Sequence, residues 1–93
     1  MNPTTAHAGA PTRPRLRAPL KLHWHADMST CEIVHPSGSV ELNRSAGEIL
    51  ARCDGTRELD DIIGELEVRF GMEGLAVDVY RFIDEARRLG WLY

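Results

Sequence analysis

At 93 residues and 10.4 kDa, with 43 % hydrophobic and 27 % charged side chains and a formal net charge of −3, the chain has room for one small soluble core, which excludes a multidomain enzyme, a repeat solenoid and a wholly disordered polymer. No apolar run approaches the roughly 20 residues that cross a bilayer, and the N-terminus lacks the apolar stretch of a secretory signal, so the cytoplasm is the expected compartment and no membrane partner is expected. The charge is unevenly distributed: through Ala26 there are Arg13, Arg15, Arg17 and Lys21 and no acid, while the remaining 7 basic residues meet all 14 acids and leave residues 27–93 at −7.

Residues 1–19 hold Pro3, Pro11, Pro14 and Pro19 beside Ala, Thr and Gly9, a composition that predicts a disordered basic arm. A folded domain is expected over 20–93. Leu20, Leu22 and Trp24 alternate with Lys21, His23 and His25, which is the period of a strand with one buried face. A turn over Ala26–Thr30 leads to a second strand, Cys31–His35. Pro36-Ser37-Gly38 reverses the chain, with Pro setting one turn angle and Gly admitting the positive φ that follows. Ser39-Val40-Glu41-Leu42 then resumes the alternation, giving three short antiparallel strands.

Beyond Asn43 the period changes to that of a helix. Ser45-Ala46-Gly47-Glu48 reads as a capping box, in which the Ser hydroxyl accepts from a free amide and Glu48 returns to the cap's own N–H. Ala46, Ile49, Leu50 and Cys53 form the apolar stripe, and Asp54-Gly55 ends the helix. Thr56 is the expected cap of a second helix, whose first turn carries Glu58, Asp60 and Asp61 and whose stripe of Leu59, Ile62, Ile63, Leu66 and Phe70 runs to Gly71. A third helix is expected from about Leu75 to Leu89, stopped by Gly90, with Leu75, Val79, Phe82, Ala86 and Leu89 facing the core. Ala76, Tyr80, Ile83 and Arg87 share one shoulder of that stripe, and Asp78 and Glu85 share the other. The first shoulder extends the apolar surface and ends in an amphipathic rim, as a helix lining a groove does.

The fold class is therefore α+β: a small winged-helix-like domain with a three-stranded antiparallel sheet followed by three helices. That outline raises the alternative of a DNA-binding regulator. Its third helix, however, interleaves Arg81, Arg87 and Arg88 with Asp78, Asp84 and Glu85, and the second is acidic, so neither presents the unflanked donors that read base edges and nucleic acid is not an expected partner. His23, His25, Asp27, Cys31 and His35 are ligand types within a short span, but their spacing matches no closed zinc motif, and no metal is assigned. Cys31 and Cys53 are expected as buried free thiols. No nucleophile, phosphate loop or acid pair in a catalytic context is present, so neither a catalytic residue nor a cofactor is expected and the chain is not read as an enzyme. What is left is a binding module. An extended peptide can add to the edge of the third strand, in a groove walled by Ser39, Val40, Glu41 and Leu42 and by Ala76, Tyr80, Ile83 and Arg87. Glu58, Asp60, Asp61 and Glu65 make a separate acidic patch, a candidate contact for a protein partner.

His35-Pro36-Ser37-Gly38, Val40-Glu41-Leu42-Asn43, Ser45-Ala46, Ile49-Leu50, Cys53-Asp54-Gly55-Thr56-Arg57 and Gly90-Trp91-Leu92, in that order, resemble the PqqD family of pyrroloquinoline quinone biosynthesis over about residues 20–93. The resemblance implies the fold known as the recognition element of ribosomally made, modified peptides. It further implies a peptide chaperone that binds the precursor peptide PqqA along the third strand and third helix and presents it to the radical-SAM enzyme PqqE, which crosslinks a Glu and a Tyr of the peptide. Carried over by position, the elements involved are Val40–Asn43 and the helix face with Tyr80, Ile83 and Arg87. Two positions depart from the family pattern: Ser37 stands where an acid is usual, and His35 stands where an aromatic is typical.

Overall fold

A computed structural model of the protein describes residues 12–93. Strands β1 (Lys21–Trp24), β2 (Thr30–His35) and β3 (Gly38–Asn43) form one antiparallel sheet in the order β1-β2-β3, followed by helices α1 (Arg44–Ala51), α2 (Leu59–Phe70) and α3 (Ala76–Arg88). The register places Leu22, Ile33 and Val40 in one cross-strand row and Trp24, Cys31 and Leu42 in the next. Because successive side chains alternate, both rows share the sheet face that meets the helices. Lys21, His23, Glu32 and Glu41 belong to the opposite face, where His23 Nδ1 lies 3.9 Å from Glu32 and His25 Nε2 lies 3.6 Å from Glu41. Histidines interleaved with the two directly opposed carboxylates relieve a like-charge pair whenever they are protonated.

Helix α1 starts one residue past the sheet. Asn43 ends β3 in an extended conformation (ψ 172°) and its side chain accepts from the Ala46 amide at 2.9 Å. The expected Ser45 cap is thereby corrected: Ser45 is a helical residue, since the extended residue that can turn its side chain back onto a free amide is Asn43. Glu48 is buried rather than folded back onto a cap, and it takes Arg52 at 2.9 Å, Arg69 at 3.4 Å and Arg44 at 3.6 Å. Burial alone pushes the Glu48 carboxyl up, but the hydrogen bond from Arg52 and the charges of Arg69 and Arg52 more than reverse this and leave its pKa lowered.

Thr56 also differs from expectation. Its amide and hydroxyl both donate to Asp54 Oδ1, and α2 is capped instead by the reciprocal pair Glu58 and Asp61. Asp54, held by Thr56 and by Arg57 at 3.0 Å, already satisfies the turn that Gly55 (φ 84°) makes possible. Gly71 ends α2 in the left-handed region at φ 62°, and Glu67 accepts the Leu75 amide at 3.1 Å, linking α2 to the start of α3.

The segment leading into the sheet corrects a further expectation. Residues 12–19 are not a free arm: Pro14 is buried, and Arg15 and Leu16 bridge to Asp54 and Leu92. Four main-chain hydrogen bonds hold this strap, from Leu16 to Cys53 (3.1 Å), Arg17 to Trp91 (2.8 Å), Gly55 to Pro14 (3.0 Å) and Tyr93 to Arg15 (2.9 Å), each written donor first. The rest of the predicted arm, residues 1–11, lies outside the described residues. Ile33, Leu50, Cys53, Ile62, Leu66, Val79, Ile83 and Leu92 form the core between sheet, helices and strap. Both cysteines are free and buried, and burial pushes the Cys53 thiol up to about 12.

Candidate functional site

Strand β3 is an edge: among the described residues its backbone pairs only with β2. Its inner face is also incompletely covered. Val40 stands beside Ile33 in the same cross-strand row, yet Val40 is 45 % exposed and Ile33 is 2 % exposed. Helix α1 packs across all three strands and α3 packs on α2, and Val40 stays half-exposed at the edge. Near it stands the C-terminal end of α3. Leu89, 47 % exposed, and Trp91 line a groove of about 470 Å³ together with Ile33, Ser39 and Val40 of the sheet and the 18–20 segment that enters it. Arg17 also lines it. A free strand edge beside two half-exposed aliphatic side chains can accept a backbone by hydrogen bonding and an apolar side chain by burial.

The expected site residues divide between this groove and other places. Ser39 and Val40 line it. Glu41 follows on the same edge strand with its carboxylate near His25, and Leu42 is packed partly into the core. The helix residues turn elsewhere. Ile83 is 1 % exposed and belongs to the core, Ala76 packs against that core, and Arg87 donates to the Tyr93 main-chain oxygen at 2.8 Å. The Tyr80 hydroxyl donates to Asp60 Oδ1 at 3.2 Å, and this bond to a carboxylate raises its pKa. Tyr80 therefore faces the start of α2. Leu89, the C-cap residue of α3, lines the groove together with Ser39 and Val40. Leu89, Trp91 and Arg17 were not among the expected site residues. Leu89 falls on the apolar stripe of its helix, and an apolar stripe read alone looks like core throughout.

The side chains considered for metal binding are separated by the strand period. Cys31 is wholly buried on the inner face while His23 meets Glu32 on the outer one. Among the described residues no group of three or more His, Cys, Asp or Glu is placed to hold a metal ion.

The family model described as coenzyme PQQ synthesis protein D (PqqD) matches residues 31–92, from the start of β2 to the buried Leu92. The chain belongs to the PqqD family. Its relatives include a protein of Methylococcus capsulatus named PqqA binding protein, 33 % identical over 73 residues that cover 78 % of each chain. Proteins of the same name from Azotobacter vinelandii and Stutzerimonas stutzeri are 34 % and 29 % identical over 80 residues, covering 85 % of this chain and 87 % of theirs. No solved structure matches the chain. The matched span in this PqqD-family protein contains β3, α3 and Trp91, so every wall of the groove except the strap and the start of the sheet lies within it.

Proposed function

We propose that this protein is a non-catalytic carrier in pyrroloquinoline quinone biosynthesis that binds the precursor peptide PqqA and presents it to the radical-SAM enzyme PqqE. The observation that carries the proposal is the open β3 edge, with Val40 and Leu89 both half-exposed in one groove beside it, in a member of a family whose curated relatives are named for binding PqqA. The peptide adds as a fourth strand along Ser39–Leu42, each main-chain hydrogen bond contributing about 1 kcal/mol, and inserts one apolar side chain between Val40 and Leu89. Holding a flexible chain extended removes part of the ordering cost the maturase would otherwise meet, and tethering raises its effective concentration there. Two buried free thiols suit a reducing cytoplasm, and no helix of the described residues is long and apolar enough to cross a membrane. Calorimetric titration with PqqA, with and without PqqE, tests the proposal. Saturable 1:1 binding that is lost in Val40→Asp is expected. Absence of binding by the unaltered protein in both titrations would refute it.

A further inference from the structure

We infer that the groove selects a carboxylate in the bound peptide through Arg17, an inference that rests on the peptide-carrier reading above. Arg17 is fixed at its backbone on both sides, its N–H donating to Trp91 at 2.8 Å and its carbonyl accepting from Leu20 at 2.9 Å. Its guanidinium lies 4.7 Å from the centre of the Tyr93 ring, and that of Arg15 lies 4.9 Å from the same ring. Stacking holds the plane of a guanidinium but leaves its N–H edge open, and that edge is the fork which takes a carboxylate in two parallel hydrogen bonds.

The charges elsewhere make this position distinct. Arg13, Arg44, Arg52, Arg57, Arg69 and Arg88 each lie within ion-pair distance of a carboxylate. Arg15, Arg17, Lys21 and Arg81 lie within ion-pair distance of none among the described residues, and of these four Arg17 lines the groove. Residues 27–93 carry −7, so an acidic peptide is repelled by most of the surface and attracted at the strap. The occupant is therefore an extended peptide segment with an apolar side chain for the Val40–Leu89 pair and an Asp or Glu within reach of Arg17. The two anchors together fix the register of a strand whose main-chain hydrogen bonds alone would allow slippage.

The test is a titration of PqqA into the unaltered protein, Arg17→Gln, Arg17→Lys and Val40→Asp at several salt concentrations, each variant first shown to melt cooperatively. Arg17→Gln is expected to weaken binding about tenfold, the scale of one charge-assisted hydrogen bond, and to flatten the dependence on salt; Arg17→Lys restores the salt dependence but only part of the affinity. A scan in which each PqqA carboxylate is replaced in turn by its amide removes dependence on how well the variant folds. One position should lose affinity for the unaltered protein and lose nothing further against Arg17→Gln. Binding by Arg17→Gln that matches the unaltered protein at every salt concentration, with Val40→Asp inactive, overturns the Arg17 inference and leaves the groove reading standing. Failure of the unaltered protein to bind PqqA overturns both.

Discussion

A methyl group added at Gly47 tests how closely α1 is seated on the sheet. A Cβ there would lie 2.5 Å from Cys31 Sγ, 2.7 Å from Trp24 Cη2 and 3.0 Å from Trp24 Cζ2. Cys31 is wholly buried on β2 and Trp24 stands beside it on β1, so neither contact is the loose end of a flexible side chain. Relief requires the indole to swing or the helix to lift. Overpacking of this kind costs about 1–3 kcal/mol, while Gly→Ala within a helix gains roughly 1 kcal/mol. Gly47→Ala is therefore expected to lose up to about 2 kcal/mol net, which for a domain of this size lowers Tm by up to roughly 15 °C. Gly64 supplies the control. It lies inside α2 with nothing within 4 Å of its would-be Cβ, so Gly64→Ala should gain up to about 1 kcal/mol. Urea unfolding of the two variants, with Cys31→Ala alone and combined with Gly47→Ala, completes the experiment. The combined variant should show a favourable coupling of about 0.5–1 kcal/mol, because the Sγ contact is relieved while the Trp24 contact remains. A Gly47→Ala variant stabilised as much as Gly64→Ala would refute the close seating of α1.

Two further predictions concern the domain's framework. Glu48 has a pKa lowered below the ordinary 4.5, so its contribution is fully present above the unfolded value and is lost as pH falls through the folded one. Glu48→Gln should cost about 1.5–3 kcal/mol near neutrality, the range for hydrogen bonds to a charged group, and urea midpoints should show the gap from the unaltered protein narrowing as pH falls below 4.5; a gap independent of pH would contradict the charge-based origin. Removal of residues 1–17 deletes, among the described residues, five main-chain hydrogen bonds and the buried Pro14, about 5 kcal/mol in hydrogen bonds, offset in part by the entropy returned to the chain. A lower Tm is expected, together with thiol alkylation at Cys53 under conditions in which the full chain is protected; unchanged melting and a protected Cys53 would mean the strap does not pack.

The strand and helix order was legible in the residues because each element carries its own period. Leu22 and Trp24 alternate with polar neighbours and meet Ile33 and Cys31 in register, and the α2 stripe of Ile62, Ile63 and Leu66 is buried as its spacing predicts. Caps were less legible, since Ser45-x-x-Glu48 fits the pattern of a capping box although Asn43 holds the required extended backbone and Glu48 is engaged by arginines from two helices. The strap carried no local signal at all. Pro14 and Leu16 have no periodicity, and their order comes from pairing with residues 53–55 and 91–93, far along the chain. The helix wall of the groove was half legible for a similar reason. A period of 3.6 gives the angle between side chains on α3 but not the neighbour each one faces, so the apolar shoulder with Tyr80 was assigned to the groove, whereas Tyr80 meets Asp60 and the groove is lined by Leu89 from the end of the core stripe.

Amide hydrogen exchange across the sheet, read residue by residue with and without PqqA, addresses strand addition at β3 directly. In an antiparallel edge strand every second amide points away from its neighbour and exchanges freely. On saturation with peptide those amides within Ser39–Leu42 should slow at least tenfold, while the outward amides of β1 keep their rates. Protection confined to β1, or unchanged exchange along β3 at full occupancy, would contradict peptide binding at this edge.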